Sequence, residues 1–150
     1  MSLLFGKSCQ YAIQATVLLA LQPADKLLLI TEIASHLDIP SPYLAKVLQI
    51  LSKRGLLTSV KGPGGGFKLG MPAESIIIRD IVESTDGLAA FDKCLLGFPK
   101  CGEQNLCPVH ETWAGIKTDI MDNILSKSIA ELLVMLKNKT PEGIEELLYC

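Results

Sequence analysis

SPYLAKVLQILSKRGLLTSVKGPGGGFKL, residues 41–69, decides the fold. Ser41 is a natural helix N-cap, and Pro42 suits the first helical position, where a missing N–H costs nothing. Leu44, Val47, Leu48 and Leu51 recur at helical spacing and predict one core-facing stripe. The opposite face carries Pro42, Lys46, Gln49 and Lys53, with Tyr43 and Ile50 on its flank. Gly55 is a natural C-terminal stop. Leu56–Val60 then reads as a strand, Lys61–Gly66 as a glycine-rich tip, and Phe67-Lys68-Leu69 as the returning strand. A two-stranded wing of this kind can bring its backbone close to a phosphate chain. Lys61 and Lys68 would supply the charge.

Working upstream, residues 7–21 predict a mostly buried helix that ends at Gln22-Pro23-Ala24-Asp25. Lys26–Ile30 reads as a short strand. Thr31 is the expected N-cap of a second helix, TEIASHLDI, with Glu32 in its first turn and Ile33, Ala34 and Leu37 facing inward. Ile39-Pro40 stops it, because a residue before proline avoids the α region. Two short helices around a tight turn, the second with a basic outer face, make a helix-turn-helix pattern.

Downstream, Met71-Pro72-Ala73 turns the chain and Ser75–Ser84 predicts a fourth helix. Pro108 opens a long helix in which Val109, Trp113, Ile116, Ile120 and Ile124 form an apolar stripe. Ser128 and Glu131 form a capping box for a last helix, Ile129–Asn138. The predicted fold is mainly α with a small β-wing: a winged helix-turn-helix domain plus a long C-terminal dimerisation helix. The expected organisation is a DNA-binding region over residues 1–75, a connecting helix and cysteine loop over 76–107, dimerisation helices over 108–139, and an acidic tail over 140–150.

Charge is unevenly distributed. Residues 1–70 carry seven basic and three acidic side chains, and residues 71–150 seven and thirteen. No acidic residue falls between Tyr43 and Ala73, against five basic ones. The front half is therefore suited to meeting an anion. The opening MSLLFGKSCQ has no extended apolar core or cleavage site, and the apolar run at Ala15–Leu21 is too short to span a bilayer. Five cysteines, three of them clustered, point to a reducing cytoplasm and to metal or redox use rather than a disulfide framework.

The clustered cysteines lie in C-LLGFPK-C-GEQNL-C-PVH, residues 94–110. Gly97, Pro99, Gly102 and Pro108 break regular structure, so a loop can fold Cys94, Cys101, Cys107 and His110 onto one point. Thiolates are the usual Fe–S ligands and also suit zinc. Structural zinc sites usually pair cysteines two to four residues apart, and no such pair exists here. Cys9 reads as a small buried apolar residue. Cys150, the last residue, reads as exposed, and His36 as a surface histidine. A thiol-based redox enzyme is the rival class. The chain has no C-x-x-C pair, no glycine-rich dinucleotide turn and no Ser/His/Asp constellation to support it.

Wing and cysteine loop together resemble the winged helix-turn-helix transcriptional regulator family typified by IscR, NsrR and CymR. The likeness covers roughly residues 5–137. It rests on Tyr11-Ala12, SPYLAKVLQILSKRGLL, VKGPGGGFKL and the spacing C-x6-C-x5-C-x2-H. It implies a homodimer that binds an inverted-repeat operator in double-stranded DNA, with no enzymatic activity. It also implies sensing of iron, redox state or nitric oxide through an Fe–S cluster on the three cysteines. Two features depart from the pattern. Six residues rather than five separate Cys94 from Cys101, and Gln10 stands where some relatives place a carboxylate ligand. The second departure favours His110 as fourth ligand. Three cysteines and a histidine suit a [2Fe–2S] centre; a [4Fe–4S] centre with an outside ligand is the alternative. A sample prepared in air is compatible with an absent cluster. Lys61 stands where an arginine often starts the wing, which keeps the charge but loses the fork geometry.

The expected DNA contacts are Ser41, Pro42 and Tyr43 at the helix start, Lys46, Gln49 and Lys53 on the groove face, and Lys61, Gly62, Pro63, Gly64 and Gly65 at the wing. Gln49 can pair with an adenine edge. The alternative within the family is a cluster-free regulator controlled by a partner protein or by thiol oxidation.

Overall fold

The computed structural model describes residues 4–99 and 107–140. The first helix, α1 (Lys7–Ala20), buries Cys9, Ala12, Ala15, Thr16, Val17, Leu18 and Leu19. Thr16 is a polar residue in this core, and its hydroxyl is satisfied by the Ala12 carbonyl at 2.7 Å.

Leu28 pairs with Phe67 through two backbone bonds of 3.0 and 2.8 Å, so the apolar run after α1 is a single bridge onto the wing rather than a full strand. The second helix, α2 (Ile30–Leu37), starts before Thr31, against the expected N-cap. The reason is Glu32, whose carboxylate accepts the Leu29 N–H at 2.7 Å and satisfies the helix start without the threonine hydroxyl. Asp38 ends it in the left-handed region, at φ 53.

The third helix, α3 (Ser41–Lys53), likewise starts one residue early, with Pro40 as N-cap and Ser41 already helical. It buries the expected Leu44, Val47, Leu48 and Leu51. Its C-terminus closes as a Schellman motif. Gly55, at φ 78, donates to the Ser52 carbonyl at 3.0 Å, and Leu56 donates to Leu51 at 3.1 Å.

The wing is an antiparallel pair, β1 (Leu57–Val60) and β2 (Gly66–Leu69), in register Leu57 to Leu69 through Val60 to Gly66.

The helix expected from residue 75 begins later. Residues Ala73–Ser75 form a 3-10 turn, and α4 spans Ile78–Thr85. Ile76 and Ile77 are extended because they pair with the segment before the last helix. Ile78 donates to Lys127 at 2.9 Å, and Ile129 donates to Ile76 at 2.8 Å. A 3-10 turn at Ala89–Asp92 leads into the cysteine loop.

The long helix is α5 (His110–Ile120), continued by a π-helical turn at Met121–Leu125. No residue of α5 is fully buried, and Ile116 and Ile124 are 45% and 44% exposed. Leu125, fully buried with Cys9, Ile78 and Val82, anchors its far end to the head.

The last helix, α6 (Ile129–Lys139), has the expected capping box. Ser128 Oγ accepts from Glu131 N at 3.1 Å, and Glu131 accepts from Ser128 N at 2.7 Å. Ile129 enters the main core beside Leu132, Leu133 and Leu136, while Val134 and Met135 face solvent. Among the described residues, no helix is long and apolar enough to cross a membrane. Residues 141–150, most of the expected acidic tail with Cys150, lie outside the described residues.

Candidate functional site

Two candidate regions emerge, one cationic and one built on thiols. The first is the outer face of α3 with the wing. Pro42, Tyr43, Lys46, Gln49 and Lys53 are all exposed, and Ser41 is half-buried. Between α3 and the wing lies a groove of about 590 Å³, lined by Gln49, Ser52, Lys53, Gly55, Leu57, Thr58, Ser59, Lys61 and Gly70. Three predicted contacts, Gln49, Lys53 and Lys61, therefore share one concave surface. No carboxylate pairs with Lys46, Lys53 or Lys61 among the described residues. Lys68 differs. It is half-buried and lies 4.0 Å from Asp25, so its charge is drawn toward the loop after α1 rather than the wing tip.

The wing glycines divide into two kinds. Gly62 and Gly64 hold positive φ, 88 and 73, at the open tip. Gly65 and Gly66 are needed for close approach. A Cβ on Gly65 would lie 2.2 Å from the Val60 carbonyl oxygen, and one on Gly66 would lie 2.4 Å from the Leu28 carbonyl oxygen. Gly65 is therefore buried structure beneath the tip, and the exposed part is Lys61 to Gly64.

Tyr43 has partners that local sequence patterns do not reveal. Its hydroxyl lies 2.7 Å from Ser8 Oγ, and its ring meets Tyr11 edge-on at 5.8 Å between centroids. The start of α3 is thereby fixed to the first turns of α1. Contacts of 35 residues' separation leave no periodic signal.

The second region is the cysteine loop. Cys94 and Cys107 are both buried, and their sulfurs lie 3.6 Å apart. Desolvation pushes the Cys94 thiol up. The Phe98 and Leu96 amides, the Cys107 thiol and the Gly97 amide act the other way and together hold it below its ordinary value. Gly97, at φ 80, turns the chain back on itself so that its amide also donates to the Cys94 carbonyl at 3.1 Å. The Trp113 indole donates to the Lys93 carbonyl at 3.1 Å, which ties α5 to the residue before Cys94.

This donor pair fits a metal. Two thiolates on one tetrahedral metal, with bonds of about 2.3 Å, sit about 3.8 Å apart. The observed 3.6 Å is close to that, and amides directed at sulfur are a known means of tuning clusters. His110 is the first residue of α5, its amide donating to the Cys107 carbonyl at 3.2 Å. Cys101 lies outside the described residues. Among the described residues, no third group joins the two thiols as a metal-binding set.

Cys9 is fully buried, as expected, and burial raises its pKa against a Thr85 hydrogen bond. His36, expected on the surface, is half-buried on α2.

Comparison with known proteins gives a consistent picture. A family model described as "Rrf2: Iron-dependent Transcriptional regulator" matches residues 5–134. A candidate HTH-type transcriptional regulator of Aquifex aeolicus (strain VF5) is 41% identical over 133 residues, covering 87% of this chain and 92% of the relative. The HTH-type transcriptional regulator IscR of Vibrio campbellii is 31% identical over 124 residues, covering 83% and 73%. Among solved structures, CymR, the global cysteine regulator of B. subtilis, matches with a TM-score of 0.75 at 20% identity, over 89% of this chain and 98% of that one. That last likeness speaks for the winged-helix fold alone.

Proposed function

The chain belongs to the Rrf2 family of transcriptional regulators, and from that premise we propose that it is a homodimeric repressor whose DNA affinity is set by an Fe–S cluster. The cluster would sit on Cys94, Cys101, Cys107 and His110, with the [2Fe–2S] form preferred over [4Fe–4S]. It would report iron, redox state or nitric oxide. The observation that carries this is the 3.6 Å approach of Cys94 and Cys107 beneath amides that favour thiolate. When bound, an Fe–S cluster supplies one-electron redox chemistry and iron open to small ligands.

The chain's own residues do the rest. In this reading residues 1–75 are the DNA-reading head, 76–107 carry the sensing loop, 108–139 form the dimer contact and 140–150 a tail. The protein works in the cytoplasm on an inverted-repeat operator. Lys46, Lys53 and Lys61 neutralise phosphates, Gln49 reads a base edge, and Ser41, Pro42 and Tyr43 set the helix start against the groove. Gly62, Pro63 and Gly64 let the wing tip follow the backbone, and Gly65 supports them from below. The exposed stripe of α5, with Ile116 and Ile124, supports pairing with a second copy. The Trp113–Lys93 bond links loop order to the angle of that helix. A switch of about 1–3 kcal/mol would change DNA affinity about 5–150-fold.

The test is operator binding. A duplex selected from a random pool should be held by a dimer, and removal of iron should change its affinity within that range. Unchanged affinity after full iron removal would refute the sensing claim.

A second reading draws on the same contact. Two thiols 3.6 Å apart can close to a disulfide by exchange with an oxidised low-molecular-weight thiol, which would make the protein a cluster-free redox regulator. A protein partner is the other cluster-free control. An iron-free protein whose affinity follows the thiol–disulfide ratio would favour this reading.

A further inference from the structure

We propose that Lys7 is a phosphate contact that carries the DNA face beyond α3 and the wing onto α1; this rests on the DNA-binding reading above. Lys7 opens α1 and is exposed. Its Nζ lies 5.9 Å from the centroid of the Tyr11 ring. Tyr11 in turn meets Tyr43 edge-on at 5.8 Å, with ring planes at 89°. Ser8, the neighbour of Lys7, bonds the Tyr43 hydroxyl at 2.7 Å. Two successive ring contacts thus connect the Lys7 ammonium to the N-terminal turn of α3.

The charge is available. No carboxylate pairs with Lys7 among the described residues. The carboxylate at this end of α1, Asp86, is engaged by the Gly6 amide at 2.6 Å. The aromatic face steers the ammonium without neutralising it, since a cation–π contact leaves the donors free for a phosphate oxygen. A flexible lysine loses less side-chain entropy on binding when a ring already restricts it. The partner is therefore the sugar–phosphate backbone of duplex DNA on the Tyr43 side of the recognition helix. The wing grips on the other side, through Lys61.

The experiment is the salt dependence of binding by the full chain to a mixed-sequence duplex. Each neutralised phosphate contributes about 0.9 to the slope of log K against log salt. Lys7→Gln should make the slope shallower by about 0.9 per protomer. Lys7→Arg, which keeps the charge, should keep the wild-type slope. If Lys46→Gln flattens the slope and Lys7→Gln does not, the inference is overturned and the DNA-binding reading stands. If neither variant changes it, the reading of the α3 face is overturned as well. If Lys7→Arg falls as far as Lys7→Gln, the effect is a disturbed helix rather than a lost charge, and the inference is likewise overturned.

Discussion

The Gly6 amide donates to the Asp86 carboxylate at 2.6 Å, joining the first turn of α1 to the end of α4. The two residues are 80 positions apart. Asp86 ends α4, ahead of the 3-10 turn that leads into the cysteine loop, and Gly6 caps α1, whose Ser8 and Tyr11 contact Tyr43 of α3. The bond therefore joins the element that leads into the cysteine loop to the helix that contacts the start of α3. Asp86→Ala should cost about 1 kcal/mol, the usual net value of one hydrogen bond. In a chain of this size that lowers the thermal midpoint by about 2–4 °C. Asp86→Asn, which keeps an acceptor oxygen, should recover part of the loss. Calorimetry of the three proteins checks this; equal midpoints would show that the bond contributes nothing.

The wing should be intolerant at its base and tolerant at its tip. Gly66→Ala would place a Cβ against the Leu28 carbonyl, at a position held at φ 146. The backbone on both sides is fixed by the Leu28–Phe67 bridge, so the substitution should cost about 3 kcal/mol or more. Gly62→Ala faces open space and carries only the strain of positive φ, about 1–2 kcal/mol. Denaturant midpoints of the two variants give the order directly.

These glycines also show what was legible in the sequence. The run Gly62 to Gly66 announced a tight wing, and the core stripe Leu44, Val47, Leu48, Leu51 announced α3. Ser128 and Glu131 announced the last helix, because capping is written within four residues. Misreadings came where another residue took up a backbone group that the local pattern assigned elsewhere. Glu32 moved the start of α2 by satisfying Leu29. Ile76 and Ile77 left the helix expected from residue 75 because residues 127–129 pair with them. The Ser8–Tyr43 and Gly6–Asp86 contacts had no local signature. In the candidate centre, cysteine spacing suggested convergence of Cys94, Cys101, Cys107 and His110; Cys94 and Cys107 lie 3.6 Å apart, and no third group joins them as a metal-binding set among the described residues. Cys101 lies outside the described residues.

Stability should respond to acid through Glu131. The Ser128 amide, with its hydroxyl and Lys127, outweighs desolvation and holds the Glu131 carboxyl below its usual value. A folded-state value below the unfolded one stabilises at pH above the unfolded value. That gain disappears as pH falls through the folded one. The stability gap between wild type and Glu131→Gln should thus be open at neutral pH and close in acid. A gap independent of pH would show that the carboxylate's charge is not what caps α6.

The exposed stripe of α5 should be a contact between two copies. Ile116 and Ile124 are nearly half exposed in the single chain, and burying what remains of each is worth about 0.7–1.4 kcal/mol. An Ile116→Asp/Ile124→Asp variant should sediment as a monomer while keeping wild-type helicity. A variant that remains dimeric would move the interface elsewhere.

The most direct test of the central claim is an anaerobic reconstitution with iron and sulfide, followed by a count of both per chain, for wild type and Cys94→Ser. A sensing centre on this loop predicts a coloured wild-type protein with iron and acid-labile sulfide in equal amounts, and a Cys94→Ser variant that holds neither. A colourless wild-type protein without iron, or a variant that loads as fully as wild type, would contradict it.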